Sequence, residues 1–211
     1  MNKTIEHFKN EKQLPNYHTY SEFVKNIEFK LIEDNYNLLS DEDKNRLDII
    51  KINFQRMKRI QKTFTKVISS GKINTELVEL ISKIDEPQTW LVITEDWCGD
   101  SAQNIPYFYE YAKLNKNINF EIILRDENLD LLENYFTSGN PKSIPKIVGF
   151  DKNGNEIFIW GARPKVAQDL VMMWKAEGLD KDEFNKKLHL WYGRDRGKKL
   201  EKEIIKMLQL K

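Results

Sequence analysis

The chain has 211 residues, of which 40% are hydrophobic and 32% charged, with a net charge of +1 and a single cysteine. This length suits one core with a large extension, or two small domains. The near-neutral balance supplies no whole-molecule field for nucleic acid or an anionic membrane. One cysteine excludes an intrachain disulfide, and no run reaches the roughly 18 apolar residues of a membrane span.

The N-terminus, M-N-K-T-I-E-H-F-K, lacks an apolar secretory core, so a cytoplasmic protein in a reducing compartment is expected. Residues 1–40 read as helical or irregular, with Pro15 as an early break. Tyr20, Phe23, Val24, Ile27, Leu31 and Ile32 fall at three- and four-residue spacings and give one apolar face. Ser40 precedes Asp41, Glu42 and Asp43, an N-cap followed by acids in the first turn. The helix it opens continues to about Ser69 along a stripe of Leu47, Ile50, Phe54, Met57, Ile60, Phe64 and Val67, with Gly71 as the expected stop.

This 40–69 helix has no acid between Ile49 and Lys66, yet carries Lys51, Arg56, Lys58, Arg59, Lys62 and Lys66. A solvated helix face is the first reading of that charge, and a surface for a substrate or protein partner the second. Nucleic acid is not expected, because no aromatic stacking platform accompanies the cations. A further short helix spans Asn74 to Ile84 and ends before Pro87.

From Thr89 the pattern changes to alternating strands and helices. Leu91–Thr94 and Phe120–Leu124 read as strands, and Ser101–Asn115 and Leu129–Thr137 as helices. Ile147–Phe150 and Glu156–Trp160 form a hairpin around the N-G pair in Asp151–Asn155. A helix follows Pro164, and Asp180–Lys211 gives two more around W-Y-G-R-D-R-G, with Trp191 and Tyr192 as core aromatics docking them onto the sheet.

The chemistry concentrates in W-L-V-I-T-E-D-W-C-G-D-S-A-Q-N-I-P, residues 90–106. An apolar strand feeds a polar turn that is expected to present the Cys98 sulfur at the surface, at a helix N-terminus. There the unsatisfied N–H groups and the macrodipole favour thiolate over thiol. This stretch resembles the active site of the thioredoxin superfamily, where W-C-x-x-C occupies the same junction. It is most similar to a thioredoxin-like family of bacterial proteins carrying W-C-G-D-x-A-Q, the likeness covering roughly residues 89–176. The second cysteine of the motif is missing, and Ser101 stands in its place.

The resemblance implies an α/β thioredoxin-like fold, a central mixed sheet flanked by helices, with N-terminal and C-terminal helical extensions. Residues 1–87 would be the helical extension, 88–178 the thioredoxin-like core and 179–211 the C-terminal helices packing on it. It also implies that Ile144-Pro145 corresponds to the family's cis-proline beside the active site, and Gly161 to a glycine often found after the last strand. Cys98, Ser101 and Asp100 are then the candidate catalytic residues, and Trp97, Gly99, Ile144 and Pro145 border the substrate groove. Ile144 backbone groups would pair with an extended substrate segment. Two departures bear on the chemistry: Ser101 cannot resolve a mixed disulfide, although it can hydrogen-bond to the thiolate, and Val92 stands where thioredoxins bury an acid.

The implied function is thiol–disulfide exchange through mixed disulfides at Cys98, with protein or small-molecule thiols and disulfides as partners and neither nucleic acid nor membrane. The alternative is a non-catalytic binding module using the groove beside Pro145. The C-G-x-S pattern is also similar to monothiol glutaredoxins, which hold an iron–sulfur cluster with glutathione, but Trp97 and Asp100 depart from that pattern. No cofactor is expected, and His7, His18 and His189 are scattered singly without metal-ligand spacing. Glu95, Asp96 and Asp100 read as surface acids. The helix terminus favours the thiolate by roughly 0.3–1 kcal/mol and Asp100 opposes it by a similar amount, so the thiol is expected to titrate modestly below about 8.5. Nothing in the sequence sets the oligomeric state, or says whether Arg163 lines the site.

Overall fold

The computed structural model describes residues 18–32, 36–129 and 143–209. Pro15 and the part of the expected 129–137 helix beyond Leu129 lie outside them. In chain order the elements are β1 (His18–Thr19), α1 (Tyr20–Ile32), a 3-10 turn (Tyr36–Leu38), α2 (Asp41–Ser69), α3 (Thr75–Ser82), β2 (Gln88–Thr94), α4 (Gly99–Ala112), β3 (Ile118–Leu124), β4 (Lys146–Phe150), β5 (Glu156–Gly161), α5 (Lys165–Ala176), α6 (Lys181–Asp195) and α7 (Lys198–Gln209). This is an α/β thioredoxin-like fold. The chain divides into two compact units, 1–162 and 163–211. The sheet and α1–α4 belong to the first.

The sheet has the order β1-β3-β2-β4-β5. β2 runs parallel to β3, and the other neighbours are antiparallel. The two-residue β1 carries no periodic signal and is an addition to the sequence reading. β2 is central and buried on both faces, which is why its sequence is a continuous apolar run rather than an alternating one. Opposed pairs Trp90–Gly149 and Val92–Ile147 set one face. There Phe108 of α4 meets Trp90 and Trp160 at centroid distances of 6.3 and 5.0 Å. A Cβ on Gly149 would fall 2.2 Å from the Phe158 ring, so glycine lets that ring lie flat across β4. The other face gathers Leu91, Ile93, Ile123, Val148 and Phe150 around Cys98 and Ile144.

The helices follow their local signals. Ser40 caps α2 by accepting from the Asp43 N–H at 3.1 Å, and Gly71, at φ 68°, follows its end. Phe64 of α2 meets Tyr107 and Tyr111 of α4 edge-on at 4.9 and 5.1 Å. Between these two helices the buried Glu110 carboxylate accepts from Gln61 Nε2, Thr65 Oγ1 and Lys113 Nζ, each at 3.2 Å. Tyr20 of α1 stacks on Tyr109 at 4.0 Å. Part of the basic α2 charge has partners within the chain. Lys58 pairs with Glu28 at 3.0 Å and lies over Phe54, and Arg56 donates to Asn53.

In the second unit Ala167, Val171 and Trp174 of α5 pack with Leu188 and Tyr192 of α6, with Trp191 against them. A capping box of Asp180 and Glu183 opens α6. The helix runs through the W-Y-G motif to Asp195, and the break expected around that motif comes at Arg196 and Gly197, both with positive φ. Among the described residues no helix is long and apolar enough to cross a membrane.

Candidate active site

β2 ends at Thr94, and the chain turns tightly, with the Cys98 N–H donating to the Glu95 carbonyl at 3.3 Å. Cys98 is the N-cap residue of α4, with extended backbone, and its sulfur reaches across to the β4 approach. There the thiol donates to the Ile144 carbonyl at 3.3 Å. The Ile144–Pro145 bond is cis. Beneath it, Gly161 pairs with Lys146 at φ 134°, and a Cβ there would fall 2.1 Å from the Pro145 carbonyl oxygen. Only a residue without a side chain allows that approach.

The structure thus brings Cys98, Gly99, Asp100 and Ser101 to the start of α4, Ile144 and Pro145 to the entry of β4, and Trp97 onto the cluster that contains Cys98. Two expectations are corrected. The sulfur is not presented at the surface, since Cys98 is only 8% exposed. Nor is its pKa depressed: burial pushes the thiol up and Asp100 adds to this. Hydrogen bonds from the Ser101 hydroxyl and the Ser101 and Asp100 N–H groups act in the opposite direction but do not prevail. Ser101 is itself buried and accepts from Thr94 Oγ1 at 2.7 Å, which leaves its own proton for the sulfur.

Glu95 and Asp96, read as surface acids, are both buried. Asp96 meets Lys30 of α1 at 2.6 Å, at the edge of a cavity of about 310 Å³ that Phe23, Ile27 and Leu124 also line. Glu95 accepts the Asp126 N–H at 2.7 Å. Burial raises its pKa to about 7, helped by the Asp126 and Asp96 carboxylates and resisted by the Asp126 N–H and Arg125. Val92 is fully buried and supplies no proton.

Arg125 is a residue the sequence did not single out. Its guanidinium lies 4.9 Å from the Trp97 ring centroid and bonds to Asp126 Oδ1 through Nε at 2.8 Å and Nη2 at 2.7 Å. Its backbone N–H continues the β3–β2 contact by donating to Thr94 O at 2.9 Å. No local signal marks this residue, because its role depends on two strands ending side by side. Arg163 is the first residue of the second unit. Among the described residues no three His, Cys, Asp or Glu side chains converge as a metal site.

A family model described as thioredoxin matches residues 50–178, more than half of the chain. Two solved structures are similar. One is a protein of unknown function from Pseudomonas aeruginosa, at 19% identity and a TM-score of 0.55, over 75% of this chain and 84% of that one. The other is an HIV epitope-scaffold protein, at 18% identity and a TM-score of 0.55, over 78% of this chain and 91% of that one. At such identities the likeness concerns the fold. Among curated protein sequences none matches the chain.

Proposed function

The chain belongs to the thioredoxin family, and on that footing we propose that it carries out thiol–disulfide exchange through one cysteine, Cys98 forming mixed disulfides that an external thiol resolves. The observation that carries this reading is the thiol of Cys98, at a helix start, 3.3 Å from the carbonyl oxygen before cis-Pro145. In the reaction the Cys98 thiolate attacks one sulfur of a substrate disulfide. The Sγ–S bond forms as the substrate S–S bond breaks, and the departing thiolate takes up a proton. Cys98 is oxidised and the departing half is reduced. A second thiol, small or protein-borne, then attacks the mixed disulfide and returns Cys98 to the thiol.

Within this reading Ser101 stabilises the thiolate by hydrogen bonding, Asp100 opposes its formation, and Trp97 and Gly99 border the entering sulfur. Once Sγ is bonded to substrate, the Ile144 carbonyl is released to accept a substrate backbone N–H, with Pro145 shaping that edge. A second reading, a binding module that uses the same groove without turnover, is favoured by the burial of the sulfur and its raised pKa.

Incubation with a small peptide disulfide, followed by intact mass, separates the two. Exchange predicts one half-disulfide on Cys98, removed by added thiol and absent from Cys98→Ser. A thiol that stays free throughout, while binding to the reduced peptide is retained, supports the binding module instead.

A further inference from the structure

The turn that delivers Cys98 is strapped to the loop after β3 at two points. Glu95 accepts the Asp126 N–H at 2.7 Å, and the Thr94 carbonyl accepts the Arg125 N–H at 2.9 Å. Asp126 in turn holds the Arg125 guanidinium through two hydrogen bonds, and that guanidinium lies over the Trp97 ring at 4.9 Å. Trp97 packs on the cluster formed by Cys98, Ile144 and their neighbours. A continuous chain of contacts therefore runs from a buried carboxylate, through one loop, to the aromatic wall of the thiol site.

We propose that Glu95 is a positioning residue for Trp97: its carboxylate anchors the Arg125–Asp126 loop, and the loop lays Arg125 on the ring that borders Cys98. The anchor acts through an acceptor oxygen, and an ionised acceptor holds an N–H more strongly than a neutral one. Ionised Glu95 also attracts Arg125 directly. Protonation weakens the first and removes the second, so the hold on Trp97 depends on the state of one proton.

The groups that face Glu95 decide where that change falls. Asp126 and Asp96 oppose its charge, Arg125 supports it, and Lys30 of α1 pairs with Asp96 on the far side. Burial is the largest influence, and the result is a carboxyl that titrates near pH 7 rather than in the acid range. The anchor is firm above that pH and slack below it. A cation–π contact is worth roughly 0.5–1 kcal/mol at an exposed site, which corresponds to a two- to fivefold change in how often the ring is released.

The inference deepens the proposed site, resting on Cys98 as its reactive centre, but its test is optical and needs no exchange activity. Acrylamide quenching is measured from pH 5 to 9 on the wild type, with Trp97→Phe as the subtraction that isolates Trp97. Quenching of Trp97 is expected to rise roughly two- to fivefold as the pH falls through 7, and this step is expected to vanish in Glu95→Gln. Arg125→Leu, which breaks the chain at its other end, is expected to give high quenching at every pH. A wild type without the step, a step that survives in Glu95→Gln, or a step that survives in Arg125→Leu overturns the inference. Absence of any Cys98 adduct would defeat the proposed function alone, since the Trp97 titration would still be read.

Discussion

The Cys98 sulfur and the Ile144 carbonyl oxygen lie 3.3 Å apart, the thiol donating across the groove to the residue before cis-Pro145. That contact favours the protonated sulfur, because a thiolate facing the same carbonyl would lose the hydrogen bond and gain a repulsion.

The first prediction concerns this thiol. Burial and Asp100 both raise its pKa, so alkylation rate against pH should give a midpoint above the ordinary value of about 8.5. Asp100→Asn removes one of the two causes and should shift the midpoint down, raising the rate at neutral pH. A wild-type midpoint below the ordinary value would show that the helix terminus prevails after all.

Glu95 gives a prediction about stability. Its folded pKa of about 7 lies above the ordinary 4.5. Below the ordinary value the carboxyl is neutral in both states and its contribution is fully present. Between 4.5 and 7 the unfolded chain ionises while the folded one stays protonated, so stability is lost as pH rises through this window. Glu95→Gln escapes that loss. Relative to its difference from wild type at pH 4, it should gain at pH 8 up to roughly 3 kcal/mol, the free-energy equivalent of such a shift. Urea titrations at the two pH values measure this, and a difference that does not change with pH would refute the assignment.

Gly161 is predicted to tolerate no side chain. A Cβ 2.1 Å from the Pro145 carbonyl oxygen, at φ 134°, requires the β4 entry to shift. Gly161→Ala should cost roughly 2–4 kcal/mol, from overpacking and an unfavourable backbone conformation together. The same variant should change the Cys98 alkylation rate, because Ile144 and Pro145 move with the strand entry. Thermal unfolding and alkylation of the one variant check both parts.

Much of this was legible in the chain. Ser40 and the acids after it marked the start of α2, and of its apolar stripe Ile50, Phe54, Met57 and Phe64 are buried. The apolar run Leu91–Ile93 signalled a buried strand, and Asp151, whose Oδ1 accepts from the Asn153 and Asn155 N–H groups at 2.8 Å, makes the N-G turn. What escaped was long-range. Glu95 and Asp96 looked like surface acids because a charge is read by type. Their partners Asp126 and Lys30 lie 31 and 66 residues away and are brought in only by the strand order and by α1. The exposure of the sulfur failed for the same reason: a strand-to-helix turn presents its side chain outward, but Trp97 and the Ile144 segment close over it.

The missing resolving thiol is the centre of the account, and one comparison tests it most directly. Reduction of a standard protein disulfide, supplied with a thiol reductase system, is measured for wild type, Ser101→Cys and Cys98→Ser. Ser101 sits in the first turn of α4, within the hydrogen-bonded surroundings of Cys98, so a cysteine there should close an intrachain bond. Wild type should form a persistent mixed disulfide with little turnover. Ser101→Cys should turn over clearly faster, though limited by Asp100 and by the absence of an acid at Val92, and Cys98→Ser should do neither. A wild type that reduces the disulfide as fast as Ser101→Cys would contradict the single-cysteine mechanism.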